Sequence, residues 1–343
     1  MSLLEVNDLE VYYKSEEGTV QAVDGISFDL EPGENLGLVG ESGCGKSTAA
    51  KGLLGVLPKN GYVNNGEIVF QGEDLTGVST KRRKEIQWEE MSMIAQSAMN
   101  ALDPVYTIRE QINEAIEIHR PETTTEEKNE IVEEMFDLVG LDHSRADDYP
   151  HQFSGGMRQR AMIGMALALD PALVLADEPT TALDVIMQDQ ILKRINSIQE
   201  EIQSSMIVIT HDVSVVAETC DRVVVMYAGK IAEEGPVDEV FASPRHPYTV
   251  GLEHAFPNIR IEDQELVSIA GYPPDLVEPP EGCRFAERCP LATQRCEDEE
   301  PRAQEVGDTR VFCHHADRVD DELRPIADEM ETWQKASTEA EAD

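Results

Sequence analysis

The sequence predicts an α/β fold built around a phosphate-binding loop, and three observations carry that prediction. Gly40-Glu41-Ser42-Gly43-Cys44-Gly45-Lys46-Ser47-Thr48 fits the pattern G-x-x-x-x-G-K-[ST] without a gap or a substitution. Residues 35–39 ahead of it read as a short buried strand, and residues 48–57 behind it read as a helix. Two further apolar runs, 173–178 and 206–212, read as buried strands that end in Asp177 with Glu178 and in His211.

The loop comes first in the chemistry. A strand, a glycine loop and a helix in that order gather backbone N–H groups and a helix N-terminus around one point, which suits a polyphosphate. Lys46 supplies a cation for the terminal phosphates, and the Ser47 hydroxyl can hold Mg²⁺. Residues 1–34 and 67–72 alternate at period two with Asp-Gly and Pro-Gly punctuation, which predicts antiparallel strands. An antiparallel sheet ahead of the loop argues against a plain kinase or a small GTPase. Tyr13 can stack on a nucleotide base, or serve as a half-buried strand aromatic.

Residues 91–96 form a short apolar run that ends at Gln96. From 108 to 139 the pattern turns helical, with a polar break at 120–125, so about 97–155 reads as an inserted helical subdomain. Ser154 is placed to cap a helix that opens with Gly155, Gly156 and Met157, a second candidate anion site or an ordinary capped helix. At the end of its strand Asp177 would hold Mg²⁺ and Glu178 would polarise the attacking water. Residues 181–184 turn into another helix, with Asp184 at the turn, and His211 follows at the next strand end.

Composition narrows the partners. The 343 residues suffice for two domains with a core that needs no disulfide. Sixty-eight acidic against 28 basic residues give a net charge of −40, which excludes a nucleic-acid partner that needs a basic footprint. The basic run 81–84 reads as a solvated helix face. Acidic residues spread along the whole chain suggest a surface made to stay hydrated in high salt, and a halophilic source is the expectation; a melting temperature that rises with KCl is what it requires. No apolar stretch follows the initiator Met, and no run approaches the roughly 20 apolar residues that span a bilayer, so an intracellular protein is expected.

Four of the six cysteines crowd into the segment Cys283-x5-Cys289-x6-Cys296-x16-Cys313. The spacing is too loose for a common zinc ribbon, but four thiolates can hold zinc or a [4Fe–4S] cluster, with His314 and His315 as possible substitutes. Free structural thiols are the other reading, and Cys44 and Cys220 read as small packing residues. Residues 317–343 are acidic and expected to be disordered.

Taken in order, these motifs resemble the nucleotide-binding subunits of ABC transporters over roughly residues 1–260. Tyr13 stands at the A-loop, Gly40 to Thr48 at Walker A, Gln96 at the Q-loop, and Ser154-Gly155-Gly156-Met157-Arg158-Gln159 at the signature. Asp177 with Glu178 forms Walker B, Ala182-Leu183-Asp184 the D-loop, and His211 the H-loop. Met157 departs from the commoner Ser-Gly-Gly-Gln form of the signature and leaves the serine and both glycines in place. Residues 39–47, 153–160, 243–249 and 282–290 are similar to the oligopeptide/dipeptide importers in particular.

The resemblance implies a P-loop NTPase (RecA-like) core with an antiparallel β subdomain, an inserted helical subdomain and a C-terminal Cys-containing extension. It divides the chain into an ABC ATPase domain at 1–240, an extension at 241–316 and a tail at 317–343. It makes Lys46 and Ser47 the grip on phosphate and Mg²⁺, Glu178 the general base, His211 a γ-phosphate contact, and Gln96 the link from metal and water to the membrane subunit. ATP and Mg²⁺ are the implied cofactors, and the extension favours a [4Fe–4S] cluster over zinc. The implied partners are a second, non-identical ABC ATPase of the F type beside this D-type chain, two transmembrane permease subunits and an extracellular solute-binding protein. The implied place is the cytoplasmic face of the cell membrane. In such pairs the signature of one subunit closes on the ATP held by the other. Import of sugars or oligosaccharides, or a soluble ABC ATPase of DNA repair or the ribosome, are the alternatives. The single motif set and the lack of a heptad array weigh against the last two.

Overall fold

In the computed structural model, which describes residues 2–96, 102–179, 188, 204–255 and 269–327, the period-two stretches ahead of the glycine loop fold as strands. β1 (Leu4–Lys14) and β2 (Thr19–Leu30) reverse at a turn in which Ser15 N–H donates to Gly18 O at 2.9 Å. Two such strands, adjacent and joined so tightly, run antiparallel. Two compact units divide the chain: Met1–Leu4 with Leu30–Asn35 and Phe70–Ile209, and Glu5–Asp29 with Leu36–Val69 and Thr210–Asp343.

The unit that contains the glycine loop holds β1, β2 and β4 (Gly61–Phe70) as neighbours in the order β2-β1-β4. Leu4, Val6, Leu9 and Val11 face inward from β1. β3 (Asn35–Val39) runs parallel to β9 (Arg222–Tyr227), pairing Leu36 with Arg222 through Val39 with Val225. β10 (Lys230–Pro236) pairs antiparallel with β9, and the extension adds a hairpin, β11 (Gln304–Val306) and β12 (Thr309–Val311), to the free edge of β10. The extension therefore continues the sheet that carries the loop. Gly37 lets the helix Val213–Thr219 lie on β3, since a Cβ there would stand 2.3 Å from Val216 Cγ1. Val39, Val216, Val225, Tyr227, Tyr248 and Phe285 share one core.

The other unit holds a parallel sheet of β6 (Met91–Ile94), β7 (Leu173–Asp177) and β8 (Ser205–Thr210), with Met91 opposite Leu173 and Leu173 opposite Ser205. Every residue of β7 and β8 is buried, which is why both read as unbroken apolar runs rather than alternating ones. The predicted helical stretch forms Ile108–His119 and Thr125–Leu138, each opened by a capping box (Thr107 with Glu110, Thr124 with Glu127). The helix Gly155–Leu167 approaches the second of these closely at Gly164, where a Cβ would lie 2.7 Å from Met135 Cγ.

Two expectations are adjusted, and others lie outside the described residues. The helix after the loop, Lys46–Leu54, stops before residue 57 because Gly55 takes φ 71 and its N–H closes back on the last turn. Order continues past 317, as far as 327: Val319 and Leu323, one helical turn apart, bury with Val250 and Leu291 and anchor the start of the acidic tail. Residues 97–101 at the start of the helical stretch, Ala182, Leu183 and Asp184, and the tail from 328 lie outside the described residues.

Candidate functional site

The phosphate loop is shaped by backbone that only glycine tolerates. Gly40 (φ 152) and Gly45 (φ 108) both sit against main chain: a Cβ would stand 2.1 Å from Met226 O at the first and 2.2 Å from Ala22 O at the second. Gly45 also opens the helix Lys46–Leu54, and no side chain caps that helix start. Anions occupy such a terminus because its first N–H groups point outward along the helix dipole. Lys46, 6% exposed, folds over the loop, and its Nζ donates to Gly40 O at 2.6 Å and Glu41 O at 2.9 Å. Those are carbonyls that a phosphate can replace as partners. Tyr13 is brought to the same place, its hydroxyl donating to Thr48 Oγ1 at 3.2 Å. Cys44 is buried among these groups, and burial raises its thiol pKa, which keeps it a neutral packing residue.

The carboxylates belong to the other unit. Asp177 ends β7 at 3% exposure, and Glu178 follows at φ 48, a left-handed conformation uncommon outside glycine. Its N–H donates to Ile209 O at 2.8 Å, which fixes the turn. Gln96 Nε2 donates to Glu178 Oε2 at 2.8 Å, so two candidates 82 residues apart in sequence meet directly. Gln159 of the signature helix donates to Pro179 O, tying that helix to the residue after Glu178. Ser154 caps the same helix, accepting from Met157 N–H at 3.3 Å. Ser154 and Gly155 are exposed, and among the described residues a Cβ on Gly155 would meet no atom within 4 Å. His211 is exposed at the end of its strand, just before Asp212 caps the helix Val213–Thr219.

The cysteine expectation is corrected in part. Cys283 N–H donates to Cys296 O at 2.7 Å, and burial, reinforced by the other thiols, pushes Cys283 up to about 11 and Cys313 up to about 12. Among the described residues, however, no group of three or more His, Cys, Asp or Glu side chains is set to hold a metal ion. Cys283 and Cys289 pack on the Tyr248–Phe285 core while Cys313 packs with Val311 and Ala316. His314 and His315 are engaged elsewhere, with Glu299 O at 2.9 Å and Thr293 Oγ1 at 3.0 Å.

Sequence reasoning missed three residues at the loop. Tyr248 OH accepts from Glu41 N–H at 2.8 Å, Arg288 binds the Glu41 carboxylate, and Tyr227 OH accepts from Arg288 at 3.1 Å. Tyr248 and Arg288 lie in stretches that marked only a resemblance, and nothing local announces an ion-pair partner 247 residues away.

A strand–glycine loop–helix closed over by a buried lysine, with a strand elsewhere in the chain that ends in buried Asp177 and is followed by half-buried Glu178, defines a P-loop nucleotide-hydrolysing protein. Residues 23–181 match the family described as ABC transporter, and residues 232–296 match the oligopeptide/dipeptide transporter C-terminal region. The oligopeptide transport ATP-binding protein OppD of Bacillus subtilis is 45% identical over 311 residues, 90% of this chain and 87% of that protein. The dipeptide transport ATP-binding protein DppD of Escherichia coli is 40% identical over 328 residues, 95% of this chain and 99% of that protein. Among solved structures, the ATP-binding cassette MJ0796, as a dimer bound to ADP and Pi, has a TM-score of 0.63 at 25% identity and covers 68% of this chain and 98% of its own. This chain belongs to the ATP-binding proteins of the ABC transporter family, in the branch with the oligopeptide/dipeptide C-terminal region, and it is an ATPase.

Proposed function

We propose that this chain hydrolyses ATP to drive import of di- or oligopeptides, as one of two ATPase subunits beneath two permease subunits at the cytoplasmic face of the membrane. An extracellular solute-binding protein would deliver the cargo. The observation that carries the reading is the Gln96–Glu178 hydrogen bond, since it couples the residue that would report to a permease to the residue that would act as base. Lys46, Ser47 and the N–H groups from Gly40 to Thr48 bind the phosphates, and Tyr13 supports the base. Glu178 takes the proton of the attacking water, and His211 steadies the γ-phosphate. Mg²⁺ would neutralise phosphate charge, held by Ser47, Asp177 and Gln96. Ser154, Gly155, Gly156 and Met157 act on ATP held by the second, F-type subunit, and Asp184 would serve the same shared reaction. The exposed face around Ser154 and Gly155 supports this role.

No helix among the described residues is long and apolar enough to cross a membrane. Support for a permease partner comes from exposed apolar side chains in the helical stretch, with Val105 at 69%, Ile118 at 67% and Tyr106 at 51% exposure. In the extension, Cys283, Cys289, Cys296 and Cys313 would hold a [4Fe–4S] cluster or zinc as a staple, because four of the six cysteines crowd into residues 283–313. Ligation would need the side chains to turn toward one another. Anaerobically purified protein should then be brown, or colourless with one equivalent of zinc; protein free of both metals makes these plain packing thiols.

The decisive test is Glu178→Gln in the assembled transporter. Turnover should fall by roughly a thousandfold while ATP binding is kept, as loss of a general base requires. Retained turnover would remove Glu178 from the role of base.

A further inference from the structure

Every polar group of Glu41, the second residue of the phosphate loop, is held. Its carbonyl accepts from Lys46 Nζ at 2.9 Å, its N–H donates to Tyr248 OH at 2.8 Å, and its carboxylate is gripped by both arms of Arg288 at 2.8 and 2.9 Å. Two of the three partners, Tyr248 and Arg288, come from beyond residue 240. The Arg288 side chain is only 6% exposed. It is fixed in turn: its Nε donates to Ala270 O at 2.8 Å, a terminal nitrogen donates to Ile269 O at 3.1 Å, and its guanidinium lies 5.5 Å from the Tyr227 ring centroid. A planar fork held on all sides recognises a carboxylate in two places at once, which a lysine does not.

The charge matters as much as the geometry. A carboxylate at the second position of a loop that binds a polyphosphate repels its own ligand unless that charge is cancelled, and a pair whose Glu41 side is 25% exposed is only partly screened by salt. We propose that Arg288 is a positioning residue for the phosphate loop: by cancelling the charge of Glu41 and fixing its place, the C-terminal extension sets how tightly the loop holds ATP. This rests on the ATPase reading above. The extension then acts on nucleotide affinity without touching the nucleotide.

The test is a double-mutant cycle on the full chain, read by equilibrium binding of a fluorescent ATP analogue, with melting temperature measured beside it. Arg288→Ala should weaken binding about tenfold or more, because it strands a sheltered carboxylate beside the phosphates. Arg288→Lys should fall between it and the wild type. Glu41→Gln keeps the loop N–H but removes the repelling charge and should bind ATP more tightly than the wild type, and adding Glu41→Gln to Arg288→Ala should recover most of the lost affinity. In the assembled transporter Arg288→Ala should raise KM for ATP more than it lowers kcat. If Arg288→Ala does not fold, Arg288→Lys and Glu41→Gln carry the same comparison. Wild-type affinity in folded Arg288→Ala, or a loss that Glu41→Gln leaves uncorrected, overturns the proposal and spares the ATPase reading. A wild type that binds no ATP overturns both.

Discussion

Two helices in this chain begin with glycine at a place suited to phosphate, and they are built in opposite ways. The start at Lys46 is closed in: Gly40 and Gly45 press on main-chain carbonyls, Lys46 folds over the loop, and Tyr13, Tyr248 and Arg288 hold it from outside. The start at Gly155 is bare, capped by its own Ser154 and facing open space. The first is finished by its own chain. The second has a cap and, among the described residues, no atom within 4 Å of a Cβ placed on Gly155, as a surface meant to close on another molecule would have. Glycine serves different ends in the two, tight backbone approach in one and an unobstructed face in the other.

The largest effect should come from putting a methyl group at each start. Gly45→Ala forces a Cβ to within 2.2 Å of Ala22 O at φ 108, and it should cost about 3 kcal/mol of stability and abolish ATP binding. Gly155→Ala meets nothing within 4 Å and should stay within about 0.5 kcal/mol of the wild type. Denaturant melts with a nucleotide-binding assay separate the two, and equal losses would end the contrast.

Acid should loosen the closed start next. His246 is 3% exposed, and its Nδ1 accepts from Tyr248 N–H at 3.0 Å, so the neutral ring supports the residue that holds Glu41. Burial pushes its pKa from 6.5 down to about 3. Below pH 6.5 the unfolded chain therefore takes up a proton that the fold excludes, and stability falls with pH by up to about 1.4 kcal/mol per unit. Glu233 works the other way: burial lifts it from 4.5 to about 7, and its contribution is lost as pH rises through that window. His246→Asn, which keeps an acceptor near Nδ1 but cannot titrate, should flatten the acid limb in unfolding curves from pH 7 to 4. An unchanged slope would absolve His246.

Smallest is Ser154→Ala at the open start. Loss of the cap should cost about 1 kcal/mol and leave ATP binding to the single chain intact, while turnover in the paired enzyme drops. Weaker ATP binding by the single chain would mean that this start serves its own nucleotide.

Much of this was readable from the sequence, for a local reason. The loop pattern, the helical stretch 108–139 with its break at 120–125, and the apolar runs of β7 and β8 depend on near neighbours and on burial, and periodicity reports both. The cysteines show where that stops. Their crowding along the chain suggested a ligand set, yet Cys283 and Cys289 pack on one core and Cys313 on another, because each thiol is also a small apolar group seeking cover. The ordered start of the tail was hidden in the same way, since acidic composition masked Val319 and Leu323.

By itself the sequence determined the kind of machine: a glycine loop that only a phosphate explains, followed in order by Gln96, Ser154, Asp177, Glu178 and His211. Only the tertiary structure decided that the extension is built onto the sheet carrying that loop, and that Arg288 and Tyr248 hold Glu41 from 247 and 207 residues away. Pairings at that distance leave no period and no spacing in a sequence. They form because a buried charge must find its partner wherever the fold brings one.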